Sequence, residues 1–286
     1  MSEAKVVFWD VQHGNAVYIN TPNNRHIVID LGVGSYASGQ EFSPLRHLKY
    51  TYGINQLDYV IITHPHLDHI DDILNFDLLN PKVLLRPKHL SKKNILQGAR
   101  EQDMAKFKKY FEIDERYNAP VSNTFNDPSI PENWGGLKIK TFSPKKCSQS
   151  NINNHSIVVV IEYEGIKIVF LGDNESCSYN ELLDLYEFKE TIKNADILLA
   201  SHHGRESGYH NDFVSLVNPR ITVVSDGRFS DTSATNRYSA KSRGWTVYKK
   251  DGSFCKRYCL TTRQDGTIVA TFGNNGENPF LNIKIN

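Results

Sequence analysis

The sequence has no run of about 18 consecutive apolar residues, the length that a helix needs to span a bilayer. Residues 1–5 also lack the apolar core of a signal peptide and lead directly into a predicted strand. From these absences we predict no membrane association and a location in the cytoplasm. Only four cysteines occur, without zinc-finger spacing, and we expect them to be reduced thiols: Cys147, Cys177, Cys255 and Cys259.

An excess of charge of either sign is also missing, because 33 basic and 32 acidic side chains leave a net charge of +1. This balance excludes a protein that coats nucleic acid through its overall charge. One local exception is the segment 86–109, where eight basic residues accompany only Glu101 and Asp103. The segment either guides a polyanion towards a nearby site or forms a solvated helix face, and the sequence favours neither interpretation.

The chain lacks a Pro/Gly/Ser-rich linker, a fixed-period repeat and a low-complexity tract. With a hydrophobic content of 39%, residues 1–286 are predicted to form one domain with a sizeable core. The longest irregular stretch, residues 118–136, contains three prolines. We predict that this stretch is an excursion over the surface of the domain.

The densest group of metal-capable side chains follows a short apolar stretch at residues 59–62. That stretch is typical of a buried strand, and Pro65 ends it because proline cannot donate to the ladder. Imidazole and carboxylate groups are ligands of zinc and related metals. Four such groups within six residues favour two metal ions over one: His64, His66, Asp68 and His69.

Other predicted strands are also flanked by such side chains. Asp30 closes a strand near the N-terminus, and Asp173 follows a strand in the second half. His155 precedes another strand, and His202 and His203 follow a further one. Taken singly, Asp30 is explained equally well as a turn former. The repeated pattern predicts instead that several strands deliver ligands to a common edge.

The apolar pattern predicts two sheets. Residues 6–10, 16–20 and 26–30 are predicted to form an antiparallel meander at the start of the chain. Residues 180–193 are predicted to form one amphipathic helix. Four strands are expected to complete the second sheet: residues 221–225, 246–248, 258–262 and 267–272.

Five motifs, in order, resemble the metallo-β-lactamase superfamily, and specifically the hydrolase domain of the ComEC/Rec2 competence proteins. Residues 10–16, D-V-Q-H-G-N-A, resemble the opening motif D-V-G-Q-G-D-A, and residues 63–69 resemble T-H-P-H-x-D-H. Residues 154–158, 171–173 and 201–204 resemble N-x-S-L-V, L-T-G-D and H-H-G-S. The resemblance implies an α/β fold, a four-layer αββα sandwich of two mixed β-sheets flanked by helices.

The same resemblance implies two divalent metal ions, zinc or alternatively manganese. The implied ligands of the first ion are His64 and His66, those of the second are Asp68 and His69, and Asp173 bridges both. Two ions held in this way activate a water and stabilise a developing oxyanion. The first half of the chain therefore supplies only part of the expected site.

One of two adjacent histidines is implied to complete the second metal site. His202 is expected to be the ligand because it lies nearer the strand end, which leaves His203 to stabilise or protonate the leaving oxygen. Asp68 or Asp173 is expected to accept the proton of the attacking water. Asp30 is implied to support the histidine ligands from behind.

Several departures from the family pattern limit what the resemblance implies. His155 stands before Ser156, where the competence group often has another residue, so it is either a metal ligand or a variable position. Asp71 and Asp72 replace a glycine pair after the metal motif, and Arg205 replaces the serine of H-H-G-S. Substrate contacts are therefore expected to differ.

Three functions are consistent with these residues. The first is hydrolysis of phosphodiesters, with a phosphate ester or nucleic acid as substrate, and the resemblance favours it. The second is hydrolysis of a small ester, thioester or lactam, which a pocket closed by residues 118–136 would favour over an open groove. The third is a metal-stabilised binding or regulatory subunit without turnover, because a fold does not by itself define a function. A protein partner is not indicated by the sequence.

Overall fold

Short strands and short helices alternate along the chain in a computed structural model that describes residues 2–36, 39–227 and 233–285. The described strands of the first half are β1 (Glu3–Phe8), β2 (Val17–Asn20), β3 (His26–Ile29), β4 (Gly34–Ser35), β5 (Glu41–Phe42), β6 (Tyr59–Ile61) and β7 (Val83–Leu85). Those of the second half are β8 (Lys138–Phe142), β9 (Val158–Tyr163), β10 (Ile166–Phe170), β11 (Ile197–Leu199), β12 (Ile221–Val224), β13 (Trp245–Tyr248), β14 (Phe254–Arg257), β15 (Cys259–Thr261), β16 (Ile268–Asn274) and β17 (Pro279–Lys284).

The described α-helices are α1 (Pro44–Tyr50), α2 (Leu67–Ile70), α3 (Lys92–Ile95), α4 (Met104–Arg116), α5 (Ser176–Leu183), α6 (Tyr186–Ile192), α7 (Asn211–Val217), α8 (Thr235–Lys241) and α9 (Thr262–Asp265). Short 3-10 helices lie at Ile73–Leu78, Glu101–Asp103, Thr124–Asn126, Pro131–Trp134, Ile152–His155, Ser201–Gly204 and Glu206–Gly208. At the start of α1, the Ser43 hydroxyl caps the helix by accepting the N–H of Arg46. Within the described ranges, every helix is too short or too polar to cross a bilayer.

The strands form two mixed sheets and a small two-stranded ribbon of β4 and β5. The first sheet has nine strands in the order β14-β13-β17-β16-β1-β2-β3-β6-β7, and the second has six in the order β15-β12-β11-β10-β9-β8. The predicted meander is confirmed, because β1 pairs antiparallel with β2 and β2 with β3. The parallel pair of β3 and β6 brings Asp30 and the metal motif to the same edge.

Three hydrophobic cores separate four layers. The central core lies between the two sheets, where the rings of Phe8 and Phe170 are 6.1 Å apart. A second core packs α1 and α4 onto the first sheet, and a third packs α5 to α8 onto the second sheet. The inner face of each sheet packs on the other sheet, and helices bury their apolar sides on the outer faces, which produces this layering. The predicted αββα sandwich is confirmed.

Two predictions about the second half of the chain were wrong. Residues 246–248 and 267–272 were expected in the second sheet, whereas β13, β16 and β17 join the first sheet through the antiparallel pair of β16 and β1. A local apolar pattern shows that a segment is a strand but not which strand it pairs with. The single helix expected at residues 180–193 is also divided into α5 and α6, with a break at Asp184 and Leu185.

The expectation that all cysteines are reduced was wrong as well. Cys147 and Cys177 form a disulfide, while Cys255 and Cys259 are free. The disulfide joins the loop that precedes His155 to helix α5, which begins soon after Asp173. It therefore links two segments that flank the predicted site.

The excursion at residues 118–136 packs far from the strand ends that carry the predicted ligands. The Trp134 ring lies 6.0 Å from the ring of Tyr59 and 5.3 Å from the guanidinium carbon of Arg25. Asn23 donates to the Asn133 carbonyl over 2.9 Å. These contacts lie at the start of β3 and β6, whereas Asp30 lies at the other end of β3. The excursion does not close the predicted metal site.

Candidate metal centre

Strand ends from both sheets bring four metal-capable side chains together. The first sheet provides Asp68 and His69, which follow β6, and the second provides Asp173 after β10 and His203 after β11. One ligand atom from each of these four residues lies within 4.8 Å of the others. Within the described part of the chain, this is the one such group of three or more residues. We call these four residues the metal cluster.

Asp30 fixes the orientation of His69. Its carboxylate accepts the Thr63 N–H over 2.7 Å and the Thr63 hydroxyl over 2.8 Å. The Nδ1–H of His69 donates to the same carboxylate over 2.8 Å. Because a carboxylate only accepts, Nδ1 carries a proton, and Nε2 is the nitrogen that remains to bind a metal. That Nε2 lies 3.2 Å from Oδ1 of Asp173.

His203 is oriented in the same way by a backbone carbonyl. Its Nδ1–H donates to the carbonyl of Ser225 over 3.0 Å. Its Nε2 lies 3.2 Å from Oδ2 of Asp68 and 3.5 Å from Oδ2 of Asp173. His202 and His203 both have positive φ values, 49° and 54°, which residues other than glycine rarely adopt. This turn reverses the chain and directs His203 into the metal cluster.

Two glycines allow the loops to meet around the metal cluster. Gly14 has a φ of +139°, and a Cβ added there would lie 2.7 Å from the carbonyl oxygen of Asp68. Gly172 has a φ of +57°, and a Cβ there would lie 2.8 Å from the side chains of Ser156 and Thr63. Both positions therefore require glycine for conformation and for space.

The donor atoms of the metal cluster match the needs of a divalent cation. The Nε2 atoms of His69 and His203 are buried, and neither has a hydrogen-bond partner among the described residues. Two imidazole nitrogens and two carboxylates are a ligand set that suits zinc or manganese. The residues present therefore fit the metal that the fold family implies.

Charges within the metal cluster hold its carboxylates ionised. Burial alone would raise the pKa of Asp173, but His69 and His203 keep it well below its usual range. Burial alone would lower the pKa of His203, but Asp173 and Asp68 raise it to about 10. The pKa of His69 is likewise well above its usual range, because Asp173 and Asp30 outweigh the effect of burial. Without a metal, protons on these histidines balance the carboxylate charges.

His64 and His66 lie beside the metal cluster, where His64 is close to both Asp173 and His69. Nε2 of His64 is 3.0 Å from Nδ1 of His66 and 3.9 Å from Oδ2 of Asp173. The rings of His64 and His69 are 4.2 Å apart. Burial, and then the neighbouring His69, lower the pKa of His64 well below its usual value, so its imidazole is neutral. Both imidazoles can serve as metal ligands. Among the described residues, however, His64 and His66 do not form a group of three or more donor atoms that all lie within 4.8 Å of one another, as the metal cluster does.

His155 contacts His89 and is not one of the four residues of the metal cluster. Its Nδ1 is 2.9 Å from Nε2 of His89, and the two ring centroids are 4.9 Å apart. The 3-10 helix Ile152–His155 directs the side chain to this position. The sequence had left open whether His155 is a ligand, and in the structure it is not among the grouped donors.

His202, the expected ligand of the second metal site, lies at the rim, and His203 is the histidine grouped with Asp68, His69 and Asp173. Its Nδ1 is 3.1 Å from Oε1 of Glu175 and 2.9 Å from the hydroxyl of Ser207. Its Nε2 is 3.9 Å from Oδ2 of Asp173. The positive φ of both histidines places the second of them inward, and sequence proximity to the strand end could not indicate this.

Sequence reasoning assigned no specific role to two residues at the mouth of the site, His13 and Arg205. Nε2 of His13 lies 3.3 Å from Oδ2 of Asp68, and the His13 ring is 4.8 Å from that of His203. Nη1 of Arg205 is 3.2 Å from Nε2 of His202, and the buried Nε of Arg205 has no hydrogen-bond partner in the described part of the chain. Both stand at motif positions where the family pattern has another residue, and that departure was the available signal.

Comparison with known proteins shows sequence similarity to one superfamily and to two longer bacterial proteins. The family profile described as the metallo-beta-lactamase superfamily matches residues 9–140. ComE operon protein 3 of Bacillus subtilis is 26% identical over 297 residues, which cover 96% of this chain and 34% of that protein. Recombination protein 2 of Haemophilus influenzae is 26% identical over 224 residues, covering 77% of this chain and 24% of that protein. The chain thus spans between about a quarter and a third of the length of these relatives.

A solved structure shows the same fold at low sequence identity. A mutant of the β-hydroxylase CmlA is 11% identical, with a TM-score of 0.55, and the match covers 95% of this chain and 54% of the other. At this identity the likeness concerns the fold alone.

Proposed function

We propose that this chain, whose residues 9–140 match the metallo-beta-lactamase superfamily, is a metal-dependent hydrolase of phosphodiesters whose substrate is nucleic acid. The observation that carries the proposal is the metal cluster of Asp68, His69, Asp173 and His203. Its donors come from both sheets, so the site exists only when the whole sandwich is folded.

The residues of the chain have distinct tasks in this proposal. A divalent ion held by the metal cluster supplies Lewis acidity and an activated water. Asp30 and the backbone carbonyl of Ser225 keep the two histidine ligands in the tautomer that presents Nε2. The partly exposed carboxylate of Asp68 accepts the proton of the attacking water. We assign the ligand role to His203, and His202 remains at the rim.

Arg205 favours a phosphoryl substrate. Its guanidinium lies at the mouth of the site, held by His202, with an unpaired buried Nε in the described structure. A planar guanidinium matches two oxygens of a phosphate group. A neutral ester or lactam would leave the buried Nε of Arg205 unpaired, and leaving a buried polar group unpaired costs about 1–3 kcal/mol.

The accessibility of the site favours a polymer over a small molecule. Residues 118–136, which would have closed a pocket, pack instead near Arg25 and Tyr59 at the other end of β3 and β6. His13 and Asp68 remain partly exposed at the mouth. An open site admits the backbone of a chain that continues on both sides of the scissile bond.

The test is a substrate panel with the purified protein in zinc or manganese. The panel contains labelled single-stranded and double-stranded DNA, single-stranded RNA, cyclic and linear dinucleotides, a nitrophenyl ester and a lactam. We expect cleavage of at least one phosphodiester and a loss of about 100-fold or more in Asp68→Asn, as for removal of an essential catalytic group.

Asp71→Asn is the matched control, because Asp71 is a neighbouring carboxylate that pairs with Lys106 rather than facing the metal cluster. It should retain wild-type activity. Cleavage of the ester or lactam alone, or equal rates for wild type and Asp68→Asn, would contradict the proposed function.

A further inference from the structure

The outer face of the nine-stranded sheet is covered by helices only over part of its width. The second hydrophobic core, which packs helices on this face, includes side chains of β1, β2, β3, β6 and β7. It reaches the other strands only at Val269 of β16. Beyond β16, the outward side chains of β13 and β14 are exposed to solvent. An uncovered sheet face at one end of the sandwich requires an explanation.

Aromatic and basic side chains alternate on this uncovered face. Tyr248 and Phe254 are directly opposite each other, with ring centroids 6.1 Å apart. Lys256 lies two residues after Phe254, and its Nζ is 5.3 Å from the ring of Tyr258. The exposed fractions are 39% for Tyr248, 70% for Phe254 and 42% for Tyr258. We call Tyr248, Phe254, Lys256 and Tyr258 the hairpin face.

Lysines surround the hairpin face, with one acidic residue among them. Lys284 stands beside Tyr248 in the ladder, and Lys249 and Lys250 lie in the turn between the strands, together with Asp251. Neither these three lysines nor Lys256 forms an ion pair with any residue that the structure describes.

The basic segment 86–109 differs in this respect. Five of its eight basic side chains are paired with carboxylates: Arg86, Lys92, Arg100, Lys106 and Lys109. This pairing supports the interpretation of the segment as a solvated helix surface. By contrast, Lys249, Lys250, Lys256 and Lys284, all on or beside the hairpin face, lack an ion pair in the described structure.

We propose that the hairpin face binds single-stranded nucleic acid. Exposed rings on a rigid sheet stack with unpaired bases, and neighbouring lysines contact the phosphates. A duplex hides its bases and cannot stack on these rings, so single strands are the preferred ligand. The alternation of rings and unpaired lysines fits this ligand better than an apolar protein partner, which would leave the lysine charges buried and unpaired.

The position of the hairpin face connects it to the metal cluster. A row of paired residues crosses five strands from Val7 of β1 through Val269, Lys284 and Tyr248 to Phe254 of β14. Four strand spacings of about 4.8 Å make this about 19 Å. β1 ends one residue after Val7 and leads to the loop that contains His13. A single-stranded nucleic acid bound on the hairpin face can thus reach the metal cluster. This connection to the metal cluster rests on the proposed function, whereas the binding itself does not.

The experiment measures binding without turnover. Fluorescence anisotropy of a labelled oligothymidine is recorded with the full chain in a chelator, so that cleavage does not interfere. We expect Phe254→Ala and Tyr248→Ala each to weaken binding by about fivefold or more, because one stacked base contributes about 1–3 kcal/mol. Lys256→Gln should reduce the dependence of affinity on salt, because one phosphate contact is lost.

Tyr186→Ala is the matched control, because Tyr186 is 76% exposed but lies on α6, away from the hairpin. It should bind as wild type, and thermal melts should show that all variants fold. Unchanged affinity in the hairpin variants, equal loss in Tyr186→Ala, preference for a duplex, or a dimer that Phe254→Ala dissociates would overturn the proposal. Absence of cleavage would contradict the proposed function and leave this binding result intact.

Discussion

Single residues decide which side chains can act together in this protein. His202 and His203 are adjacent, yet only His203 presents Nε2 to Asp68 and Asp173, because both residues have positive φ. Asp30 has the same kind of backbone, with a φ of 59°, and uses it to accept the Nδ1–H of His69. Strained backbone at such positions persists only where the surrounding structure determines it.

Asp30→Asn should weaken metal binding without removing a ligand. The amide cannot accept all of the hydrogen bonds from Thr63 and His69, so His69 loses its fixed tautomer. We expect a fall of about 10–100-fold in metal affinity, as for other partners that orient ligands. Competition with a chromogenic chelator measures it, and Asp251→Asn in the exposed turn is the control. Wild-type affinity in a folded Asp30→Asn protein would contradict this role.

Arg205→Gln should lower kcat/KM for phosphodiesters by about 10–100-fold, because the substrate phosphate loses one or two charge-assisted hydrogen bonds. Metal content should not change, because Arg205 is not in the metal cluster, and elemental analysis checks this. Arg237→Gln is the matched control, since Arg237 lies over the ring of Tyr209 and pairs with Glu206 nearby. Equal effects of the two substitutions would argue against phosphate recognition by Arg205.

At the scale of elements, strand ends carry the ligands and the loops after them set their positions. The loop after β10 places Asp173, and helix α5 follows at once. Asn154 binds this junction, because its Oδ1 accepts the N–H groups of Glu175 and Ser178. The disulfide of Cys147 and Cys177 adds a covalent connection between the same two segments.

Reduction of this disulfide should lower the free energy of unfolding. A crosslink between residues 30 positions apart restricts the unfolded chain and contributes about 3 kcal/mol in the chain-entropy model. Urea unfolding with and without a reducing agent measures the difference. The Cys147→Ser/Cys177→Ser double variant should show the lower stability and no response to the reducing agent, while Cys255→Ser should behave as wild type. If the reducing agent still lowers the stability of the double variant, the loss of stability has a cause other than this disulfide.

At the scale of the whole molecule, the metal cluster joins two sheets. Asp68 and His69 belong to the first sheet and Asp173 and His203 to the second, so their charges interact across the sandwich. In the metal-free chain, protonated histidines between carboxylates make this junction attractive. A divalent cation and these protons therefore compete for the same place.

The metal-free protein should lose stability at alkaline pH. The pKa of His203 rises from 6.5 to about 10 on folding, so its protonated form stabilises the fold fully below pH 6.5, and this contribution is lost as the pH rises through about 10. Thermal melts of chelator-treated protein should show a falling Tm over this range, and His203→Gln should flatten the profile. Metal affinity should change in the opposite sense and increase with pH. A Tm independent of pH in the metal-free wild type would contradict this account.

Much of the site was predictable from the sequence because its motifs are local. The strand before His64, the cap at Ser43 and the meander of β1 to β3 follow from apolar periodicity and turn residues, and all are present. The αββα layering followed from the resemblance of the motifs. Whether His64, His66 and the residues of the metal cluster bind metal is still a prediction.

The sequence alone therefore determined the strands that precede the candidate ligands, which residues can bind metal and in what order they occur. Tertiary structure decided that His203 and not His202 faces Asp68, that His155 pairs with His89, and that β13, β16 and β17 extend the first sheet. It also decided the disulfide and the exposed hairpin face. The physical reason is that periodicity reports local burial, whereas pairing partners and side-chain directions depend on backbone dihedrals and on contacts between segments distant in the chain.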